Sequence, residues 1–255
     1  PDEVKRALRL SPGPDWTTLA RERIEDVTPT IPLGKRFWPL SRRETDATRQ
    51  LFESGELDAL VTRLKHRDDD AEVRLIDAAY WVKGCSSLGL LRLALLLEVR
   101  SGKKDRDLCL IDVKEAVKSV SPHAQDGNMP RDQAQRVVAG AQALSPALGE
   151  RMIATRMLGR SVFIRELLPQ DLKLEIDALS RKSAIAVARY LAAVVGHAHA
   201  RQMAAATRKD WLNELRRNPA GNVEAPSWLW LGVVEMLGMH ERAYLEHCRR
   251  FAAAA

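Results

Sequence analysis

Aromatic residues make up only 5% of this 255-residue chain, and cysteine only three positions, Cys85, Cys109 and Cys248. Three widely spaced cysteines fit neither a disulfide framework nor a Cys-x-x-Cys metal knuckle, so a reducing, cytoplasmic setting is expected. So few aromatics argue against a base-stacking platform for nucleic acid. The longest apolar run, Leu88 to Leu97, is broken by Arg92. It falls well short of the roughly 18 residues a membrane span needs, and no membrane partner is expected. An initiator Met and an apolar signal core are also missing from the Pro1-Asp2-Glu3-Val4-Lys5-Arg6 opening. The expectation is the later part of a longer polypeptide. No Ser-His-Asp order, paired-carboxylate motif or His-Glu-x-x-His motif occurs, and no metal site is expected within the chain.

Charge is plentiful and mixed. Forty Lys and Arg against 34 Asp and Glu leave a formal charge of +6, but the basic residues sit among acids, as in Arg21-Glu22-Arg23 and Lys114-Glu115. That is the pattern of a solvated surface, not of a nucleic-acid face.

Residues 1–40 carry Pro12, Pro14, Pro29, Pro32 and Pro39 around one short helical candidate, Trp16 to Glu25, and read as an arm wrapped on a larger body. Residues 41–70 read as a helical segment: Ser41 and Glu44 stand in capping-box spacing, and Leu51, Phe52, Leu57, Leu60, Val61 and Leu64 follow. From 71 to 170 the signal changes. Val73 to Val82, Leu90 to Val99 and Leu108 to Val113 are three successive strands, the last two a hairpin through Arg100 to Asp105. A helix is predicted from Pro130 to Leu144, and Met152 to Leu158 with Ser161 to Leu167 form a second hairpin around Gly159-Arg160. Residues 171–255 read as helical, with an Ala-rich stretch over 180–206 and an apolar stripe from Leu229 to Phe251. The fold class is α+β: a small antiparallel sheet of about five strands with one packed helix, flanked by helical segments.

One constellation carries chemistry. Gly84-Cys85-Ser86-Ser87-Leu88-Gly89 is a small-residue loop between strands, where backbone N–H groups can approach phosphate oxygens, and Lys114 on a following strand can reach the same phosphates. The order of strand, Gly loop, strand, Lys-bearing strand and helix is that of a kinase-type small lobe. A tight hairpin that needs Gly for its backbone angles explains the loop equally well. It is no Walker loop, because Leu90 and Leu91 follow Gly89.

Other candidates weigh less. His66-Arg67-Asp68 spells the kinase catalytic triplet, but Val73 stands where the metal-binding Asn belongs, and a charged loop is the better reading. His197 and His199, two apart on a helix, cannot share one ion, and His240 and His247 read as ordinary packing residues. Cys85 has no His near it in sequence and is not assigned as a nucleophile.

The segments Tyr80 to Gly89, Asp112-Val113-Lys114-Glu115-Ala116, Gln135-Arg136-Val137-Val138, Phe163-Ile164-Arg165-Glu166-Leu167 and Ala198-His199-Ala200-Arg201 resemble the later half of the bacterial family of domain of unknown function 2252. Ala225 to Trp230 and Tyr244 to Arg249 resemble the same family. The resemblance implies a kinase-like fold in permuted order, with the Gly-Asp-x-His-x-x-Asn-Phe-Gly and Asp-Phe-Asp-Glu segments of a catalytic loop and metal-binding acid in an earlier half. Neither segment occurs in this chain. It implies that Gly84, Cys85, Ser86, Ser87 and Gly89 form the phosphate loop, that Lys114 contacts phosphate, and that Glu166 to Leu168 form the hinge beside an adenine. ATP is the implied cofactor, with Mg²⁺ ligands from the upstream half of the same polypeptide. The chain departs from the pattern twice: Ser86 replaces the loop's second Gly, and Ala139 stands where the helix should carry Glu.

Three functions follow in order. The first is the nucleotide-binding half of a permuted kinase-like phosphotransferase with an unknown phosphate acceptor and no catalytic residue of its own. The second is a pseudokinase-like module that binds nucleotide or a partner without turnover. The third is a structural helical scaffold.

Overall fold

The computed structural model describes residues 30–62, 67–68, 70–83, 87–101, 105–120, 129–145, 148, 151–167, 179–217 and 225–252. Two compact units divide the chain, residues 1–198 and 199–255.

The first unit is built on a six-stranded, wholly antiparallel sheet. Its strands are β1 (Phe37–Trp38), β2 (Glu72–Trp81), β3 (Arg92–Ser101), β4 (Asp105–Glu115), β5 (Met152–Met157) and β6 (Arg160–Leu167). They lie in the order β1-β2-β3-β4-β6-β5. Five of them are the strands expected from the apolar runs. The sixth, β1, is a two-residue addition from the Pro-rich arm, too short to show any alternation of its own.

Period-2 alternation decides which way each strand faces. On β3, Leu93, Leu95, Leu97 and Val99 are buried together with Cys109, Ile111 and Val113 of β4 and Val162 and Ile164 of β6. Two helices contribute to this core, α1 (Arg42–Glu53) and α2 (Glu56–Thr62), through Leu51, Leu57, Leu60 and Val61. Each fully buried Leu or Val here stabilises the fold by about 1.5–3 kcal/mol relative to exposure. The capping box is present: Ser41 Oγ accepts from Glu44 N–H, and Glu44 Oε2 accepts from Ser41 N–H. The helical segment expected in one piece is split at Gly55, whose φ of +75° no L side chain adopts without strain.

The opposite sheet face carries a second cluster of Ala79, Trp81, Ala94, Leu110 and Leu167, shared with Ile31 and Phe37 of the arm. A bulge in β2 between Leu75 and Asp77 turns the Asp77 carboxylate to accept from Ile31 N–H at 2.7 Å. Phe37 stacks on Trp81 and Trp38 on Tyr80, with centroids 5.6 and 5.9 Å apart. Ile31, Phe37 and Trp38 thus pack against the sheet. The arm's helical candidate, Trp16 to Glu25, lies outside the described residues.

Helix α3 (Gln133–Leu144) packs against β5 and β6. It begins three residues after Pro130 because the Asp132 side chain caps it, accepting from Ala134 and Gln135 N–H. Helices α4 (Arg181–Gln202), α5 (Ala205–Leu215) and α6 (Ser227–Ala252) complete the chain. In the second unit Trp228 Nε1 donates to Glu214 at 3.1 Å and its ring meets that of Trp211 at 6.0 Å. No residue of α5 or α6 is buried.

Candidate functional site

Cross-strand partners share a sheet face. The register Arg92↔Lys114↔Phe163, and the next row Ala94↔Asp112↔Arg165, thus place Arg92, Lys114, Arg165 and Asp112 on the face opposite the helix-covered core. Arg92 and Asp112 are buried and joined by two hydrogen bonds of 2.9 and 2.8 Å. Arg165 Nε approaches the same carboxylate at 3.8 Å, an ion-pair distance too long for a hydrogen bond, and this atom is buried with no hydrogen-bond partner among the described residues although the side chain is partly exposed. Trp81 carries two cations on its ring, Arg92 Cζ and Lys83 Nζ, each 4.6 Å from the centroid.

Lys114 lies 6.0 Å from the Phe163 ring and forms no ion pair with a carboxylate among the described residues. Burial lowers the pKa of its ammonium, and the charges of Arg92 and Arg165 lower it further against the pull of Asp112. Three cations therefore surround one carboxylate that is already bound by Arg92. Such a surplus in a partly desolvated setting favours an anion.

The two described ends of the loop are held differently: the entry by Arg92 of this face, and the exit by Tyr80 and Glu115, whose cross-strand partners Leu93 and Val162 belong to the helix-covered core. At its entry, Lys83 C=O accepts from Ser87 Oγ and from Arg92 Nη1 at 3.1 Å. At its exit, Leu90 C=O accepts from Tyr80 O–H at 2.6 Å, and Leu91 N–H donates to Glu115 Oε2 at 2.8 Å. Gly89 has φ +77° with nothing within 4 Å of a Cβ position, so its glycine serves the backbone angle and not a close approach. An open cleft of about 310 Å³ borders Gly89, Leu90 and Leu91, but its other walls are Ser41, Arg43, Glu44, Tyr80, Leu158 and Arg160, and Lys114 does not line it.

Of the sequence-predicted residues, Ser87 and Lys114 are brought together through Arg92, which hydrogen-bonds Ser87 Oγ at 3.4 Å and pairs with Lys114 across strands. Ser87 is buried and holds the loop entry. Gly84, Cys85, Ser86 and Leu168 lie outside the described residues. Glu166 sits on the other face, its side chain 7% exposed and paired with Arg67 at 2.8 Å. Its backbone, with that of Leu167, extends past β5, whose ladder stops at Met152↔Arg165. Leu167 itself is packed in the second cluster on the Lys114 face.

Sequence reasoning missed Arg92, Asp112, Glu115 and Arg67. A usable signal existed for the first two: a charged residue inside an otherwise apolar strand run is seldom buried unless paired. Arg67, read as part of a charged loop, does lie between α2 and β2, and its side chain is a buried clamp. The described residues contain no group of three or more His, Cys, Asp or Glu placed to hold a metal, and no described helix is long and apolar enough to cross a membrane.

These features define an α+β protein whose sheet presents a cationic row beside a short loop. Residues 15–250 match the bacterial family described as "uncharacterized protein conserved in bacteria (DUF2252)", and the chain belongs to it. No curated protein and no solved structure matches the chain.

Proposed function

We propose that this chain is the nucleotide-binding half of a permuted kinase-like phosphotransferase, with Lys114 contacting the phosphates of ATP. The observation that carries this reading is Lys114 itself, partly desolvated and without a carboxylate partner among the described residues, in a row with Arg165 and with Arg92, which holds the loop entry. Glu166 and Leu167 run past the described ladder of β5 and would offer backbone groups at the edge of the sheet for a base. Mg²⁺ does not fit the residues described: Asp112 is bound by Arg92, and no acidic group clusters there. Metal-binding acids and the catalytic loop belong, in this reading, to an upstream half.

One observation favours the second reading, a binding module without turnover. Helix α3, the helix packed on β5 and β6, has no acid anywhere in its sequence, so none on it can fix Lys114 for catalysis. Titrating ATP, with and without Mg²⁺, against the full-length protein and Lys114→Ala tests the site. Binding lost in a folded variant supports it; no binding by the parent, or binding indifferent to Lys114, leaves the structural scaffold. Phosphate transfer by the full-length protein then separates enzyme from pseudoenzyme.

A further inference from the structure

We propose that Glu115 is a positioning residue for this phosphate site, locking the exit of the Gly loop to the strand end that carries Lys114. The inference rests on the phosphate reading above and adds to it the group that sets the geometry. Glu115 is the last residue of β4 and the immediate neighbour of Lys114. Its backbone N–H donates to Leu91 C=O at 2.8 Å, while its Oε2 accepts from Leu91 N–H at 2.8 Å, so one residue grips both polar groups of Leu91. The same Oε2 accepts from Arg160 Nη1 at 2.6 Å. Arg160 opens β6 directly after the turn at Leu158 and Gly159, and its neighbour Ser161 accepts Ala116 N–H through its carbonyl at 2.9 Å.

One carboxylate at the end of β4, its side chain 13% exposed, thus holds both the backbone of the loop exit, through Leu91 N–H, and the β5–β6 hairpin, through the Arg160 guanidinium. Next to this junction, Arg92 follows Leu91 and pairs with Lys114. A shift of Leu91 would move Arg92 and the loop together relative to the Lys114 ammonium. Phosphate binding by several weak donors depends on such fixed placement, because displacement of about 1 Å removes most of each contact. Glu115 touches no phosphate in this scheme; it acts through Leu91 and the register of β4.

The readout is the ratio of ATP affinity to adenosine affinity, which isolates the phosphate contribution from that of the base. Calorimetric titration of the full-length protein is expected to show ATP binding more tightly than adenosine, with Lys114→Ala abolishing the difference. Glu115→Ala is expected to cut the ratio about tenfold, the loss of a charge-assisted anchor, with adenosine affinity unchanged. Glu115→Gln, which keeps an acceptor for Leu91 N–H, is expected to recover at least half of that loss. If Glu115→Ala does not fold, Arg160→Ala carries the test with an expected drop of about threefold. An unchanged ratio in Glu115→Ala, or in Arg160→Ala where that is used, beside a collapsed ratio in Lys114→Ala overturns the role of Glu115 and leaves the phosphate site standing. A parent protein that binds ATP no better than adenosine overturns both.

Discussion

Arg67 and Glu166, 99 residues apart in sequence, meet in a two-pronged ion pair of 2.9 and 2.8 Å with both side chains nearly excluded from solvent. The same guanidinium reaches Asp107 at 2.7 and 3.1 Å and Val61 C=O at 3.1 Å. One side chain therefore ties the end of α2 to β4 and β6. Burial alone would lower the Arg67 pKa, but the Glu166 hydrogen bonds and the neighbouring negative charges outweigh it and hold it above its ordinary value.

Removing Arg67 should be severe. Arg67→Met leaves Glu166 buried and uncompensated, and the expected loss is about 3–5 kcal/mol. Urea denaturation of Arg67→Met and of the double variant Arg67→Met/Glu166→Leu checks this. The double variant is expected to recover most of the loss, since an apolar pair leaves no stranded charge. A loss below about 1 kcal/mol in the single variant would show that the clamp is dispensable.

For Lys114, fold and binding should move in opposite directions. A lysine held below its ordinary pKa binds its proton less firmly in the folded than in the unfolded chain. Its charge therefore costs stability at neutral pH, and the cost shrinks as pH rises through the folded pKa towards about 10.4. Lys114→Met is expected to melt at or above the parent temperature at pH 7, with the gap narrowing by pH 10, while ATP affinity falls. A variant markedly less stable at pH 7 contradicts this.

The Asp132 cap gives a low-pH signature. Its carboxylate is held below the ordinary range by the Ser161 hydroxyl and by the N–H groups of Gln135 and Ala134. The folded state favours the ionised form, so the contribution is complete above about pH 4 and fades as pH falls through the folded pKa. Asp132→Ala is expected to cost about 1 kcal/mol at pH 7. Chemical melts at pH 7 and pH 2.5 should show the difference from the parent shrinking at the lower pH.

Leu158 occupies the left-handed region at φ 54°, next to Gly159 at φ 76°. Two successive positive φ angles suit a tight hairpin turn that prefers Asn or Gly at its first central position. Leu158→Asn should stabilise the fold by about 0.5–1 kcal/mol. A thermal midpoint below that of the parent would show that the Leu158 side chain contributes more than its backbone costs.

Much of the local structure was legible because it depends on neighbours in sequence. Ser41 and Glu44 announce a helix start, Gly159 announces a hairpin, and alternation from Leu93 to Val99 marks a strand with one buried side. The start of α3 was misplaced by three residues because Pro130 and Asp132 both signal a helix entry, and only the Asp132 carboxylate meets the free N–H groups. Strand β1 left no local trace, since its two residues are held by stacking on Trp81 and Tyr80.

The candidate site divides in the same way. Its loop and its lysine were visible as residue types in a recognisable order. Arg92 and Asp112 join them through the β3–β4 hairpin, whereas Arg165 does so only because β6, and not β5, lies beside β4, a pairing that joins residues some fifty positions apart. The sequence by itself determined the elements, their order and the periodicity that assigns each side chain to a face, because these depend on spacing along the chain. Tertiary structure alone decided which charges meet, burying Arg67 with Glu166 and Arg92 with Asp112 while leaving Lys114 without an ion-pair partner among the described residues. The physical reason is that a buried charge is tolerated only beside its partner, and which partner that is depends on strand pairing across the sheet.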